Sequence, residues 1–154
     1  MGIYRIYEEI WLPASLSEVW NFISRPENLK EITPPYMGFH ITSPDLPPVM
    51  YAGMIISYRV SPIAGIPMTW VTEITHVEPE SYFVDEQRAG PYSIWHHEHF
   101  VEASEGGVKM TDIVTYKLPM GFLGRIAHRL MIRRQLKEIF RFRRQKLEQL
   151  FGKS

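Results

Sequence analysis

The chain has 154 residues, no cysteine, and equal numbers of acidic and basic residues, so its formal net charge at pH 7 is zero. This length predicts one domain, covering residues 1–154, with room for a hydrophobic core. The lack of cysteine excludes disulfides and thiolate metal sites, and the lack of a long apolar run or signal-peptide pattern predicts a cytoplasmic protein without stable membrane insertion.

The N-terminal region is predicted to be a strand followed by short helical pieces. Residues 3–12 are rich in aromatic and β-branched side chains, which favour a strand. Ser15 and Glu18 have the spacing of a capping box, so a helix is expected to begin there. Prolines then separate three further elements: a short helical piece at 26–32, a strand at 39–43 and a rigid loop at 44–50.

Five β-segments follow without a long helix between them. The short links between them contain turn-forming residues, which predicts an antiparallel meander. The segments cover residues 54–60, 68–77, 81–89, 93–103 and 108–118.

The link at 104–107 determines how the last two segments pair. A four-residue loop places Asp112 opposite His99, whereas a three-residue loop would place it opposite Phe100, and a two-residue loop would keep the faces but shift the partners. We predict the four-residue loop because it matches apolar with apolar residues along the ladder. It also pairs Val114 with His97 and Tyr116 with Trp95.

The stretch 120–151 contains no proline and many good helix formers, which predicts a long C-terminal helix beginning near Phe122. Its apolar residues form two stripes that change face near Met131. Such a switch indicates either a kink or a change of neighbour. We favour the second interpretation, in which the first stripe covers an opening and the second packs on the sheet. The first stripe is Leu123, Ile126, Ala127 and Leu130, and the second is Ile132, Leu136, Ile139, Phe140, Leu147 and Leu150.

The charge is distributed unevenly along the chain. Residues 121–154 contain ten Lys and Arg but only two acidic residues, so the acidic excess lies in residues 1–120. A solvated helix face that complements an acidic sheet explains this pattern. The alternative is an interaction protein that docks an anionic partner through its basic helix. Nucleic acid is not expected, because exposed aromatic residues do not alternate with the basic ones.

Three segments carry a resemblance to a known family. Residues 18–35, 83–100 and 118–143 resemble the START/Bet v 1-like (SRPBCC) superfamily, and more closely its polyketide cyclase/dehydrase-like bacterial members. The resemblance implies an α+β helix-grip fold, in which a curved antiparallel sheet wraps around the long C-terminal helix and leaves a cavity between them. It also implies a ligand-binding domain, although the fold alone does not assign a function.

The candidate site is a polar cluster inside this apolar cup. Asp85, Gln87, His97, His99 and Asp112 are expected to point inward, where they could orient the polar end of a hydrophobic ligand such as a lipid or polyketide. The face that carries Asp112 is expected to point at the C-terminal helix. The remaining candidate ligand-binding residues are Tyr58, Trp70, Phe83, Trp95, Met110, Val114 and Tyr116, together with Phe122, Leu123, Ile126 and Leu130 at the cavity mouth.

Two chemical alternatives use the same cluster. His99 and Asp112 could act as an acid/base pair in a cyclase or dehydratase, although the sequence shows no further residues that would corroborate such a mechanism on a substrate. His97 and His99 with Asp112 or Asp85 could hold a metal ion, but two histidines on a strand are a weak signal. We therefore expect binding of a small hydrophobic molecule without a metal or other cofactor, and leave the oligomeric state open.

Overall fold

A computed structural model describes residues 2–153, except for the side chain of Ile63. Its main body is a seven-stranded antiparallel sheet in which the first strand lies beside the last, with the order β1-β7-β6-β5-β4-β3-β2. The strands are β1 (Ile3–Leu12), β2 (His40–Ile41), β3 (Met54–Ile63), β4 (Ile66–Glu78), β5 (Tyr82–Ala89), β6 (Ile94–Ser104) and β7 (Gly107–Lys117). Register shifts in the β3–β4 and β4–β5 pairs mark bulges, which bend the sheet into a curve.

The pairing of β6 with β7 confirms the predicted register. His99 lies opposite Asp112, His97 opposite Val114 and Trp95 opposite Tyr116. The predicted four-residue loop is wrong, because the ladder continues to Ser104 and Gly107. The turn consists of Glu105 and Gly106, and it keeps the predicted partners. Side chains along β7 alternate between buried and half-buried positions, with Asp112 on the buried face as predicted.

The predicted strand at 39–43 is wrong in length, because β2 contains only His40 and Ile41. The next residues contact β3 in a different way. The Ser43 hydroxyl accepts a hydrogen bond from the Ser57 backbone N–H at 2.6 Å, and that N–H is then unavailable for a backbone ladder. This side-chain bond explains why the strand ends early.

The short helical elements cover one end of the sheet. Helix α1 (Leu16–Ile23) begins at the predicted capping box, in which Ser15 and Glu18 each bond the backbone N–H of the other. A 3₁₀ helix (Pro26–Ile32) and a short 3₁₀ turn (Pro35–Met37) follow, where the proline spacing predicted a helical piece and a stop.

The C-terminal helix runs without a break from Gly121 to Phe151 in three parts. They are α2 (Gly121–Ala127), a π-helical segment (His128–Ile132) and α3 (Arg133–Phe151). The π segment lies where the apolar stripes change face. Gly124 is buried at the start, and a Cβ there would lie 2.2 Å from the Pro119 carbonyl oxygen, so this close approach requires glycine.

The second stripe packs on the sheet as predicted, with one exception. Its buried members contribute to two hydrophobic clusters, one around Tyr58 and Trp70 and one around Met110 and Phe83. Leu150 was expected to anchor the helix but is half exposed, because it lies on a different side of the helix from Leu147 and Phe151, which contact the cluster. The buried stripe residues are Ile132, Leu136, Phe140 and Leu147.

A buried histidine holds the π segment against the sheet. Nε2 of His128 lies 2.7 Å from the Tyr116 hydroxyl, and the His128 ring stacks on Tyr4 at a centroid distance of 3.4 Å. Burial and the nearby Arg133 charge lower the pKa of His128, which favours a neutral ring that accepts the hydroxyl proton. Within residues 2–153, no helix has the length and apolar character needed to span a bilayer.

Candidate functional site

An internal cavity of about 160 Å³ lies between the sheet and the C-terminal helix. Its lining takes residues from both hydrophobic clusters, so the cavity separates the two halves of the core. Aromatic rings dominate one wall, where Trp70 packs edge-on against Trp95 and nearly parallel to Tyr58. The aromatic and aliphatic lining includes Phe39, Ile56, Tyr58, Trp70, Phe83, Tyr92, Trp95, Leu136, Ile139 and Phe140.

Five charged or titratable side chains form a cluster at one side of this cavity. Asp85 comes from β5, His97 and His99 from β6, Asp112 from β7, and Arg143 from α3. Strand alternation points the four sheet residues to the same face, and the helix brings Arg143 down onto them. We call this group the polar cluster.

Asp112 is the centre of the polar cluster. Arg143 donates to both of its carboxylate oxygens, with Nε to Oδ2 and Nη2 to Oδ1 each at 3.1 Å. His97 Nε2 donates to Oδ1 at 2.9 Å, and His99 Nδ1 lies 3.1 Å from the same oxygen. His99 Nε2 bonds Asp85 Oδ2 at 2.6 Å. The network therefore connects three strands to the C-terminal helix through charged hydrogen bonds.

Arg143 was not among the site residues predicted from the sequence. Its side chain is only 7% exposed, although it lies in the most basic part of the chain. A signal was present, because Arg143 follows Phe140 by three residues and precedes Leu147 by four, and both are buried. This spacing places it in the buried stripe of the helix.

The polar cluster can be electrically neutral. Burial raises the pKa of Asp112, but the Arg143 charge and hydrogen bonds from the two histidines outweigh this and hold it well below its usual range. Burial also opposes ionisation of Asp85, yet its hydrogen bond with His99 lowers its pKa. Two carboxylates then balance Arg143 and one imidazolium, as a buried charged group requires.

The pKa values of the two histidines are shifted in opposite directions. Burial lowers the pKa of each, and the neighbouring His99 charge lowers that of His97 further. For His99, hydrogen bonds to Asp112 and Asp85 outweigh burial and raise the pKa. His99 contacts a carboxylate with each ring nitrogen, a pattern that suits the doubly protonated ring. His99 is therefore the imidazolium and His97 the neutral ring.

The raised pKa of His99 predicts a specific pH dependence of stability. Its stabilising contribution should be complete below the unfolded-state pKa of about 6.5 and should decline as pH rises through the higher folded-state value. Chemical unfolding of the wild type and of His99→Gln across this range measures that contribution as a difference. A difference that grows with rising pH would contradict the assignment of His99 as the imidazolium.

Trp70, which lines the cavity, carries a buried donor without a partner. Its side chain is 6% exposed, and its indole Nε1 is the one buried side-chain nitrogen or oxygen without a hydrogen-bond partner in the described part of the chain. Buried polar groups almost always have a partner, and an exception needs an explanation. A ligand atom in the cavity could supply the missing acceptor.

The structure brings seven of the candidate ligand-binding residues to the cavity and places the other nine elsewhere. Tyr58, Trp70, Phe83, Asp85, Trp95, His97 and His99 line it. Asp112 lies behind the histidines. Met110 and Val114 are covered by core packing, and the Gln87 amide bonds the Tyr92 backbone instead. The residues located outside the cavity are Gln87, Met110, Asp112, Val114, Tyr116, Phe122, Leu123, Ile126 and Leu130.

The residues expected at the cavity mouth face a different feature. Phe122, Ile126 and Leu130 line an open groove of about 780 Å³ between β1 and the start of the C-terminal helix, whereas Leu123 is exposed and lines neither space. The correction has a physical reason: residues two positions apart point to nearly opposite sides of a helix, so Leu130 faces outward when Ile132 points to the core. Tyr116 also lines this groove.

Asp85, His97 and His99 could also offer ligand atoms to a metal, since these atoms lie within 4.8 Å of one another. These residues already form hydrogen bonds with one another and with Asp112. His99 contacts a carboxylate with both ring nitrogens, and a metal would need one of those nitrogens without its proton. The donor set therefore fits a charge network better than a metal site, and the expectation of no bound metal stays a prediction.

Comparisons with known proteins give a family and a fold. The family model described as polyketide cyclase / dehydrase and lipid transport matches residues 12–140. A structure from Chromobacterium violaceum is similar with a TM-score of 0.70 and 12% identity, and the match covers 99% of both chains. Major latex-like protein 151 from Panax ginseng matches with a TM-score of 0.67 and 9% identity over 98% of this chain and 99% of that one.

A third similar structure is the di-domain ARO/CYC StfQ from the steffimycin biosynthetic pathway. Its TM-score is 0.68 at 11% identity, and the match covers 98% of this chain and 53% of that one. A comparison with curated protein sequences finds no match. These structural likenesses confirm the predicted helix-grip fold. Because the family model matches most of the sequence, the chain belongs to the polyketide cyclase/dehydrase and lipid transport family.

Proposed function

We propose that the protein binds a small, mainly hydrophobic molecule in its internal cavity, and that this molecule carries a hydrogen-bond acceptor. The observation that carries the proposal is the unpartnered indole N–H of Trp70, a residue of the mainly apolar cavity lining. Small-molecule sites typically combine apolar walls with a few polar groups that fix orientation. The polar cluster supplies a second set of such groups through Asp85, His97 and His99.

The volume of the cavity limits the size of the buried part of the ligand. A dry protein cavity of about 150 Å³ accommodates benzene, and the cavity here has about 160 Å³. The site therefore suits a group the size of one ring. A lipid chain or a multi-ring polyketide would require the lining to open further.

The alternative is a cyclase or dehydratase that uses His99 and Asp112 as an acid/base pair. The contacts of these two residues favour binding over proton transfer. Asp112 is 4% exposed, does not line the cavity and accepts hydrogen bonds on both oxygens. His99 contacts carboxylates with both ring nitrogens. Asp112 is therefore shielded from a substrate in the cavity, and both ring nitrogens of His99 are already engaged, so this pair is poorly placed for proton transfer.

A pair of probes tests the proposal. Phenol has a hydroxyl acceptor, and toluene is an apolar molecule of similar size without one. We expect both probes to enter the cavity. Trp70→Phe should weaken the binding of phenol by about 2–10-fold, the net value of one hydrogen bond, and should leave the binding of toluene nearly unchanged. NMR titration of the indole N–H signals measures both affinities and locates the site. The Trp70 signal should move with phenol, whereas the Trp11 signal, from outside the cavity, should not.

Two results would contradict the proposal. If neither probe shifts any cavity signal at concentrations near its solubility, the cavity does not take up a ligand of this size. If Trp70→Phe weakens the binding of phenol and of toluene equally, the indole N–H does not form a hydrogen bond with the ligand.

A further inference from the structure

We propose that the protein docks onto an anionic lipid membrane surface through the exposed side of α2 and the π segment. We define this docking face by its exposed apolar and basic residues. The apolar residues are Met120, Phe122, Leu123, Ile126, Leu130 and Met131. The basic residues are Arg125, Arg129, Arg133 and Lys137. The proposal concerns this outer surface and does not depend on a ligand in the cavity.

The apolar part of the docking face remains largely exposed in the folded chain. Leu130 is 77% exposed, and its five apolar companions are also well exposed within little more than three helical turns. Single exposed apolar side chains are common on proteins, but a contiguous group marks an interaction surface. The contrast with Ile132, which is 1% exposed on the same helix, shows that the helix has a separate core-facing side.

The charge that the helix itself places around this apolar group is entirely positive. No acidic residue occurs between Met120 and Lys137. Arg134 pairs with Glu138, whereas the four basic residues of the docking face form no ion pair in the described part of the chain. Glu8 is the one acidic residue that lines the groove, and it lies near Arg144 at 3.7 Å. Anionic lipid headgroups attract such basic clusters.

The side chains are arranged as an interfacial helix requires. Phe122, Ile126 and Leu130 follow one another at four-residue intervals, and Arg125, Arg129 and Arg133 flank them at the same intervals. Arg125 lies 5.8 Å from the centre of the Phe122 ring, so its charge sits directly beside the apolar group. Apolar side chains that enter the headgroup boundary, with arginines beside them, are typical of peripheral membrane helices.

Docking would also bring the internal cavity close to the bilayer. Phe140 lines both the groove beside the docking face and the cavity. One side chain therefore contributes to the wall between the two spaces.

Co-sedimentation with lipid vesicles tests this proposal. We expect binding to vesicles of phosphatidylcholine mixed with phosphatidylglycerol, weak binding to phosphatidylcholine alone, and release by added salt, which screens exposed charges. Arg129→Glu should weaken binding by at least about 5-fold, and Leu130→Asp should weaken it as well. The matched controls on the same helix are Arg141→Glu and Leu150→Asp, which change exposed residues outside the docking face.

Equal binding to neutral and anionic vesicles would overturn the proposal, as would equal effects of Arg129→Glu and Arg141→Glu. No binding to anionic vesicles at low salt would overturn it too. Sedimentation velocity without lipid separates a further outcome. If Leu130→Asp abolishes self-association while vesicles are not bound, the face is an interface between two copies of this chain and the membrane proposal is wrong. Thermal melts of each variant confirm that the fold is retained.

Discussion

Replacement of Arg143 by methionine is expected to lower the free energy of unfolding by about 3–5 kcal/mol. The buried carboxylate of Asp112 would lose its bidentate partner, and the polar cluster would keep a net negative charge inside the core. Methionine retains much of the length of the arginine side chain, so the packing loss should be the smaller part of the effect. Chemical unfolding followed by circular dichroism measures the change.

Arg141→Met provides the matched control for this prediction. Arg141 is exposed two residues away on the same helix, and its replacement should change stability by no more than about 0.5 kcal/mol. The double variant Arg143→Met with Asp112→Asn should cost less than the sum of the two single changes, because both act on the same pair. Equal effects of Arg143→Met and Arg141→Met would show that the buried pair does not contribute to stability.

The second large effect is expected at the end of the π segment. Ile132→Ala should destabilise the protein by about 2–5 kcal/mol, because it removes a fully buried side chain from the core. Leu130→Ala, two residues earlier, should change stability by no more than about 0.5 kcal/mol, because Leu130 points to solvent. Thermal and chemical melts of the two variants compare them directly. Similar losses of stability for Ile132→Ala and Leu130→Ala would mean that the helix presents a different side to the sheet.

The sheet and its inward face could be predicted because they depend on local rules. Strand alternation fixes which side chains share a face, and the hairpin between β6 and β7 then fixes the partners of His97 and His99. The same rules placed Asp112 on the buried face. The polar cluster could therefore be predicted as a group of sheet residues, without the helix residue that balances its charge.

The parts that could not be predicted depend on how the helix lies on the sheet. Arg143 belongs to a run of basic residues that reads as a solvated surface, and only its spacing from Phe140 and Leu147 indicates otherwise. The placement of Phe122, Ile126 and Leu130 at the cavity mouth came from the family resemblance. The sequence pattern showed only that the first stripe has different neighbours from the rest of the helix. Ile126 and Leu130 of that stripe line the outer groove.

Native mass spectrometry of the protein purified from its own host can show whether the internal cavity holds a small hydrophobic molecule with a polar group. We expect a bound small molecule that is released on gentle activation and is absent from Val60→Phe, a variant that places a larger side chain in the cavity lining. Wild-type protein that carries no such molecule, or a molecule retained equally by folded Val60→Phe, would contradict this expectation.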